Sequence, residues 1–436
     1  MHTVTFITLG CKLNQAETAM IIQDFEARGY RVVSQDEPAD VGVINTCTVT
    51  GRSASKCRQA IRKLKKQNSA MTLIITGCYP QVDPEEVATL GGVDYVLGVE
   101  EKLKLFDFFT GPGKQAKPQI AVGPVRNIKT ADEHDVGVSP EQTRAFLKIQ
   151  NGCDRRCAYC IVPIARGPSR STTANFVIQQ ARSLVEKGYK EIVLTGVHVG
   201  DYGKDLNPNR DSLLPELLES IIQLPGPFRL RFSSTDPSDL TEKLIQTVAK
   251  HPQICRHFHI PIQSGNDEIL NAMNRKYTTG EVANAILMIQ DVLGVVGIGA
   301  DVIVGFPGES ESLFESTYEF IRQQPFSYLH VFPFSERPGT VAATMEPKVP
   351  PKARALRAKR LRELGFNKKQ AWLSQWVGQT VEVLMESTPV KGKMGGFTSE
   401  YARVEVPFEA KLSNQFVPIA IEQNVNGTLH GKVLAG

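Results

Sequence analysis

Ten consecutive residues, Asn151-Gly152-Cys153-Asp154-Arg155-Arg156-Cys157-Ala158-Tyr159-Cys160, hold three cysteines in a C-x3-C-x2-C spacing. Any fold for this chain has to present that loop where three thiolates can meet. Thiolates placed this closely suit a soft metal or an iron–sulfur cluster. A [4Fe–4S] cluster ordinarily takes four cysteines, so three leave one iron with an open position for chemistry. The competing structural zinc site needs four ligands, usually in paired spacing, and no nearby Cys or His completes a tetrahedron.

The formal net charge is only +4, so any basic surface has to be local. No run approaches the roughly 18 apolar residues of a membrane span. The first residues, Met1-His2-Thr3-Val4-Thr5-Phe6-Ile7-Thr8-Leu9, lack the basic start of an export signal and read as a strand. A cytoplasmic, reducing location with no membrane is therefore expected. There, the eight cysteines are expected as metal ligands or buried apolar residues rather than disulfides.

Upstream of the loop, strand-like runs alternate with helical periodicity. Residues 3–9, 41–44 and 71–75 read as strands, and 16–28 and 53–67 as helices, which predicts a parallel sheet covered by helices. Each strand runs into a cysteine: Cys11, Cys47 and Cys78. In a parallel sheet the carboxyl ends of the strands share one edge, where ligands usually bind. A single strand-end cysteine would pass as a buried apolar residue. Three out of three argue for a second cluster, again with three protein ligands.

Residues 111–143 dissolve into Gly, Pro, Lys and acidic residues and read as a linker, with some strand pairing there left open. A longer alternation follows. Strands are expected at 145–150, 191–195, 229–233, 257–262, 298–304 and 329–334, with helices at 175–187, 213–223, 241–249, 279–293 and 311–323. Six such units predict an open (β/α)6 barrel, with its active site at the carboxyl ends of the strands. The cysteine loop follows the first of them. Residues 348–369 form a basic helical stretch, and beyond 379 short strands at 381–385, 401–406, 416–421 and 428–433 predict a small antiparallel β-barrel. The expected layout is an N-terminal α/β unit (1–110), a linker (111–143), the open barrel with its basic helix (144–370) and the small barrel (371–436).

C-x3-C-x2-C after the first strand of a β/α barrel, with Tyr159 before the last cysteine, resembles the radical S-adenosylmethionine enzymes. The longer string Cys157-Ala158-Tyr159-Cys160-Ile161-Val162-Pro163-Ile164-Ala165-Arg166-Gly167-Pro168-Ser169-Arg170-Ser171 is similar to the methylthiotransferases among them. Further strings support this along essentially the whole chain. They are Leu9-Gly10-Cys11-Lys12-Leu13-Asn14, Gly77-Cys78-Tyr79-Pro80-Gln81, His259-Ile260-Pro261-Ile262-Gln263-Ser264-Gly265, Gly305-Phe306-Pro307-Gly308-Glu309 and Phe334-Ser335-Glu336-Arg337-Pro338-Gly339-Thr340. Gly10-Cys11-Lys12-Leu13-Asn14 and Thr46-Cys47-Thr48-Val49-Thr50 most resemble the branch acting on threonylcarbamoyladenosine in tRNA.

The resemblance implies two [4Fe–4S] clusters and S-adenosylmethionine. Cys153, Cys157 and Cys160 would hold the radical cluster, and Cys11, Cys47 and Cys78 the cluster that supplies sulfur. It implies cofactor contacts at Tyr159, Thr195, Gly196, Gln263, Ser264, Ile303 and Gly305, although ordinary strand-end turns explain several of these as well. A tRNA substrate, a reductant protein such as flavodoxin or ferredoxin, and an RNA-binding TRAM barrel at the C-terminus are also implied. Arg166 and Arg170 read as solvated or ion-paired, Cys57 and Cys255 as structural, and His251, His257 and His259 as packing or hydrogen-bonding groups. The basic segments 56–66 and 348–369 are candidate phosphate contacts. The small barrel itself is not basic: five Lys/Arg stand against six Asp/Glu from Gln379 to Gly436. The leading expectation is methylthiolation of threonylcarbamoyladenosine beside the anticodon. The alternatives are the same chemistry on isopentenyladenosine or on a ribosomal-protein aspartate, and, from another class, a non-catalytic Fe–S RNA-binding protein.

Overall fold

The computed structural model describes residues 1–49, 51–137 and 143–434; Thr50 of the second quoted string, residues 138–142 of the expected linker and the side chains of 51–54 lie outside them. The N-terminal sheet contains β1 (Thr3–Thr8), β2 (Arg31–Val32), β3 (Val41–Thr46), β4 (Thr72–Gly77), β5 (Tyr95–Leu97) and β6 (Gln119–Ala121), all parallel, in the order β2-β1-β3-β4-β5-β6. β3 and β4 are buried at every position, as expected of central parallel strands covered on both faces. β2, β5 and β6 have two or three residues each, too few to show a period, and the sequence pattern missed them. β6 falls inside the expected linker, where pairing with β5 gives its backbone groups partners.

Helix α1 (Lys12–Ala27) buries Met20, Ile21 and Phe25 against this sheet. It also buries Asn14, Glu17 and Thr18, so it is covered on more than one side. The second cover is the central barrel. β7 (Arg144–Lys148) leads into a short antiparallel pair, β8 (Gln150–Asn151) with β9 (Arg170–Ser171), followed by β10 (Glu191–Thr195), β11 (Arg229–Phe232), β12 (His257–Gln263), β13 (Gly297–Val304) and β14 (Tyr328–Pro333). Six strands make two parallel three-stranded sheets, β11-β10-β7 and β12-β13-β14, bridged between Leu230 and Ile254. Their outer faces pack against the helices in one large apolar core. The N-terminal unit reaches both free edges: Glu17 of α1 lies 3.6 Å from Lys148 of β7, and Arg337, beyond β14, donates to the Thr48 hydroxyl at 2.7 Å.

The helix Pro351–Ser374 then leads to a closed barrel of β15 (Thr380–Met385), β16 (Lys393–Phe397), β17 (Arg403–Pro407), β18 (Phe416–Val425) and β19 (Thr428–Val433). The barrel differs from the sequence expectation in two ways. β16 carries Gly395-Gly396, which hid it as a strand, and β17–β19 is a parallel pair among antiparallel ones. A β-carbon on Gly396 would sit 2.3 Å from the Leu384 carbonyl, so the strands require glycine there. The turn after β16 closes the amino-terminal end of the central barrel. Arg231 donates to the carbonyls of Thr398 and Ser399 at 3.1 and 3.0 Å, and Arg229 to that of Phe397 at 2.9 Å.

Candidate active site between the two parallel units

Local hydrogen bonds hold the 153–160 loop. The amide of Cys153 donates to Gly167 (3.1 Å), that of Ala158 to Met273 (2.9 Å) and that of Cys160 to Cys157 (3.0 Å). Gly152 has φ +69°, and a β-carbon there would lie 1.8 Å from the Pro168 carbonyl oxygen, so the turn into the loop admits only glycine. Arg275 Nη1 donates to the Cys157 sulfur at 3.1 Å and also pairs with Asp236. Burial pushes the Cys160 thiol up to about 12, and the Val162 amide and Arg275 offset it only in part.

His198 and Asp201 also approach Cys153, a proximity invisible in the sequence. Yet both ring nitrogens of His198 face carboxylates, Nδ1 to Asp201 and Nε2 to Asp239, each at 2.7 Å. Arg155 Nε also donates to His198 Nδ1 at 3.1 Å, so His198 belongs to an ion network of Arg155, Asp201 and Asp239 beside Cys153.

The second trio is assembled by register. Thr8 pairs with Asn45 and Thr46 with Gly77, which brings the ends of β1, β3 and β4 to one edge. Asn14 Nδ2 ties these ends by donating to the carbonyls of Leu9 (2.7 Å) and Thr46 (2.9 Å). Gly10 is so close to Cys47 that a β-carbon on it would lie 2.6 Å from the Cys47 β-carbon.

Arg166 spans both halves. From the helix Val162–Arg166 it donates to the Cys78 sulfur (3.2 Å), Asn14 Oδ1 (2.7 Å), Glu17 (2.9 and 3.0 Å) and Asn151 Oδ1 (3.0 Å), the last of which also accepts from the Gly152 amide. Of the two readings expected for Arg166, solvated or ion-paired, the structure shows the second, in a buried pair with Glu17. Arg170 is buried too and paired with Glu100. Burial opposes charge on Glu17, but Arg166, Lys102 and Lys148 outweigh it and hold its carboxyl well below the ordinary range. One carboxylate therefore faces three cations beside Cys78. Excess positive charge here suits an anionic thiolate–iron centre.

Of the other expected cofactor contacts, Tyr159, Gln263 and Ile303 line one pocket of about 210 Å³ together with Cys160, Asp301, Phe332, Ser335 and Val49. Val49 lies two residues beyond Cys47, so this pocket is bordered by both units. Gln263 holds φ +63°, unusual for a side chain of its size and expected where the chain is bent for a site. The remaining four have other engagements. Thr195 is buried at the end of β10, Gly196 sits against Gln150, and the Ser264 hydroxyl meets that of Thr317 at 3.1 Å. Gly305 donates its amide to Glu309 at 2.8 Å in a left-handed turn. Arg275, Asp236 and Asp239 were missed because only packing brings them to the cysteines, and Arg155, although inside the loop, gains its partners Asp236 and Asp239 only through that packing.

Cys57 and Cys255 are buried away from both trios, and His257 stacks on Tyr401 at 4.6 Å while meeting the Tyr328 hydroxyl at 2.9 Å. The basic helix is less available to RNA than its composition suggests. Arg357 pairs with Glu309 and Glu311, Arg360 with Glu315, Arg354 with Glu336, and Arg362 donates to the Val331 carbonyl. Among the described residues no helix is long and apolar enough to cross a membrane.

Comparison with known proteins matches this layout. Residues 3–98 match the uncharacterized protein family UPF0004, and residues 147–321 match the radical SAM superfamily. A threonylcarbamoyladenosine tRNA methylthiotransferase of Bacillus subtilis is 40% identical over 93% of this chain and 90% of its own length. One of Aquifex aeolicus is 38% identical over 88% and 92%. A tRNA-2-methylthio-N(6)-dimethylallyladenosine synthase of Desulfitobacterium hafniense is 33% identical over 99% and 97%. The radical S-adenosylmethionine methyltransferase TsrM of Kitasatospora setae shares the fold at TM-score 0.56 and 14% identity, over 79% of this chain and 77% of that one. The superfamily carries a [4Fe–4S] cluster and uses S-adenosylmethionine, and the chain belongs to the radical S-adenosylmethionine methylthiotransferases, in the branch of the threonylcarbamoyladenosine tRNA enzymes.

Proposed function

We propose that this transferase places a methylthio group on C2 of N6-threonylcarbamoyladenosine beside the anticodon of tRNA. The observation that carries the reading is the pocket bordered by Cys160 on one side and by Val49, next to Cys47, on the other. Two [4Fe–4S] clusters, on Cys153/Cys157/Cys160 and on Cys11/Cys47/Cys78, would with S-adenosylmethionine supply sulfonium cleavage, hydrogen abstraction and the inserted sulfur.

The protein's own part is position and exclusion of water. Tyr159, Gln263 and Ile303 frame the cofactor side of the pocket, and Phe332 with Val49 adds exposed apolar surface at its border. Arg275 and Arg166 each hold one cysteine sulfur through a charge-assisted hydrogen bond. Thr195, Gly196, Ser264 and Gly305 shape the strand ends around the cofactor. A larger cavity of about 830 Å³ beside Cys153 carries Arg126, Arg156 and Arg210, cationic groups suited to an acidic reductant such as a flavodoxin or ferredoxin. Cytoplasmic tRNA supplies the substrate, with the small C-terminal barrel as an RNA-binding element.

The test is reconstitution under anaerobic, reducing conditions with anticodon stem-loops carrying threonylcarbamoyl- or isopentenyladenosine, read by mass spectrometry. Methylthiolation of the threonylcarbamoyl stem-loop is expected. Activity confined to the isopentenyl stem-loop, or to a ribosomal protein, contradicts the assignment. No cleavage of S-adenosylmethionine at all would favour a non-catalytic Fe–S RNA-binding protein.

A further inference from the structure

Lys12 follows Cys11 directly and begins α1, yet its side chain leaves the N-terminal unit for the interior of the central barrel. It is half-buried, with its ammonium 5.9 Å from the Tyr401 ring centroid. It makes no hydrogen bond or ion pair to any described residue. The charges around it are Arg231, Arg144 and Glu191. Glu191 is already taken by Arg229 and Arg231, at 2.6 and 3.0 Å, and Arg144 is paired with Glu386 at 2.9 Å. The Lys12 charge is thus uncompensated where water is scarce, an arrangement that costs stability unless an anion arrives.

A polar strip connects this ammonium to the pocket beside Cys160. Tyr401 lies 6.3 Å from Tyr328, ring centre to ring centre, and the Tyr328 hydroxyl meets His259 Nδ1 at 3.1 Å. Asp301 accepts from His259 at 2.9 Å and from His330 at 3.2 Å, and Asp301 itself lines the pocket. A threonylcarbamoyl group offers a carboxylate, a hydroxyl and a urea, all matched by such a strip. An isopentenyl group offers none of them.

We propose that Lys12 is the carboxylate-binding residue for the threonylcarbamoyl group of the substrate. The hydroxyl and urea of that group face Tyr328 and the His259–Asp301–His330 cluster. This rests on the substrate assignment above and deepens it. The other carboxylate at hand is that of S-adenosylmethionine, and the experiment separates the two.

Dissociation constants of the reconstituted enzyme are measured for stem-loops carrying unmodified adenosine, threonylcarbamoyladenosine, its methyl ester, or isopentenyladenosine, and for S-adenosylmethionine. Wild type is expected to prefer the free acid over unmodified adenosine by about tenfold or more, the scale of one charge-assisted pair. Lys12→Met is expected to abolish that preference, with iron content and S-adenosylmethionine affinity unchanged, and Lys12→Arg to restore most of it. The methyl ester is expected to bind wild type as weakly as the free acid binds Lys12→Met, with no further loss when both changes are combined. Should Lys12→Met fail to load iron, the ester decides on intact wild type: undiminished binding overturns the proposal. Retained preference in Lys12→Met overturns it too, as does a loss confined to S-adenosylmethionine. A wild-type preference for the isopentenyl stem-loop instead overturns the substrate assignment.

Discussion

The two cysteine trios, proposed above to serve similar chemistry, are built by opposite routes. Cys153, Cys157 and Cys160 sit in one loop held by backbone hydrogen bonds to residues 167 and 273, so the radical unit can form its site alone. Cys11, Cys47 and Cys78 share one sheet edge only when β1, β3 and β4 stand in register, so on the proposed assignment sheet assembly and metal loading would be linked there. Each trio has an arginine on one sulfur, but the arginines differ in origin. Arg275 serves Cys157 from within the same unit, whereas Arg166 crosses from the radical unit to Cys78. Dependence therefore runs one way: the sheet-edge site leans on the radical unit, and the loop site is self-sufficient.

The largest test of that asymmetry is chemical. Cys157→Ala is expected to abolish both 5′-deoxyadenosine formation and methylthiolation. Cys47→Ala is expected to abolish methylthiolation while cleavage of S-adenosylmethionine continues. Loss of cleavage in Cys47→Ala would erase the distinction between the sites.

Next in size is Arg166→Met. Removing one partner from a buried charge cluster costs roughly 3–5 kcal/mol, read by chemical denaturation. The same variant is expected to shift the reduction potential of the sheet-edge centre and leave the electron paramagnetic resonance signal of the loop centre in place. Arg275→Met is expected to perturb the loop centre instead. If Arg166→Met altered both centres alike, the one-way dependence would be wrong.

Two glycines sharpen the comparison at a smaller scale. A β-carbon at Gly152 would lie 1.8 Å from the Pro168 carbonyl, and one at Gly77, where φ is +100°, would lie 2.4 Å from that of Thr46. Gly152→Ala and Gly77→Ala are each expected to cost roughly 1–3 kcal/mol, seen as a lower melting temperature. Each is expected to lower iron occupancy only at its own trio.

The smallest effect is a pH dependence from Glu17. Its folded-state pKa lies below its unfolded one, so its stabilisation is present above the ordinary carboxylate range and is lost as pH falls through the folded value. Between pH 7 and pH 4 the loss is expected to stay under about 1 kcal/mol. Glu17→Gln is expected to remove that slope from the denaturation midpoints.

The loop cysteines were readable as a set because they are neighbours in sequence. The sheet-edge trio was readable by a weaker route, the coincidence of three strands each ending in cysteine. Arg166, Arg275, Lys12 and Asp301 were not readable in these roles, because each acquires its role from groups distant in sequence that only packing brings near. The same physics hid part of the basic helix's role, since Arg357 and Arg360 pair with the helix Glu311–Gln323, partners that composition alone does not reveal. β6 and β16 escaped notice for local reasons, one being three residues long and the other interrupted by Gly395-Gly396.

Iron and acid-labile sulfide per chain, measured on anaerobically reconstituted wild type, Cys47→Ala and Cys157→Ala, test the two-centre assignment most directly. Wild type is expected to hold about eight irons, the content of two [4Fe–4S] clusters, and each variant about four. Wild-type iron content in either variant, or a wild type holding only about four, would contradict it.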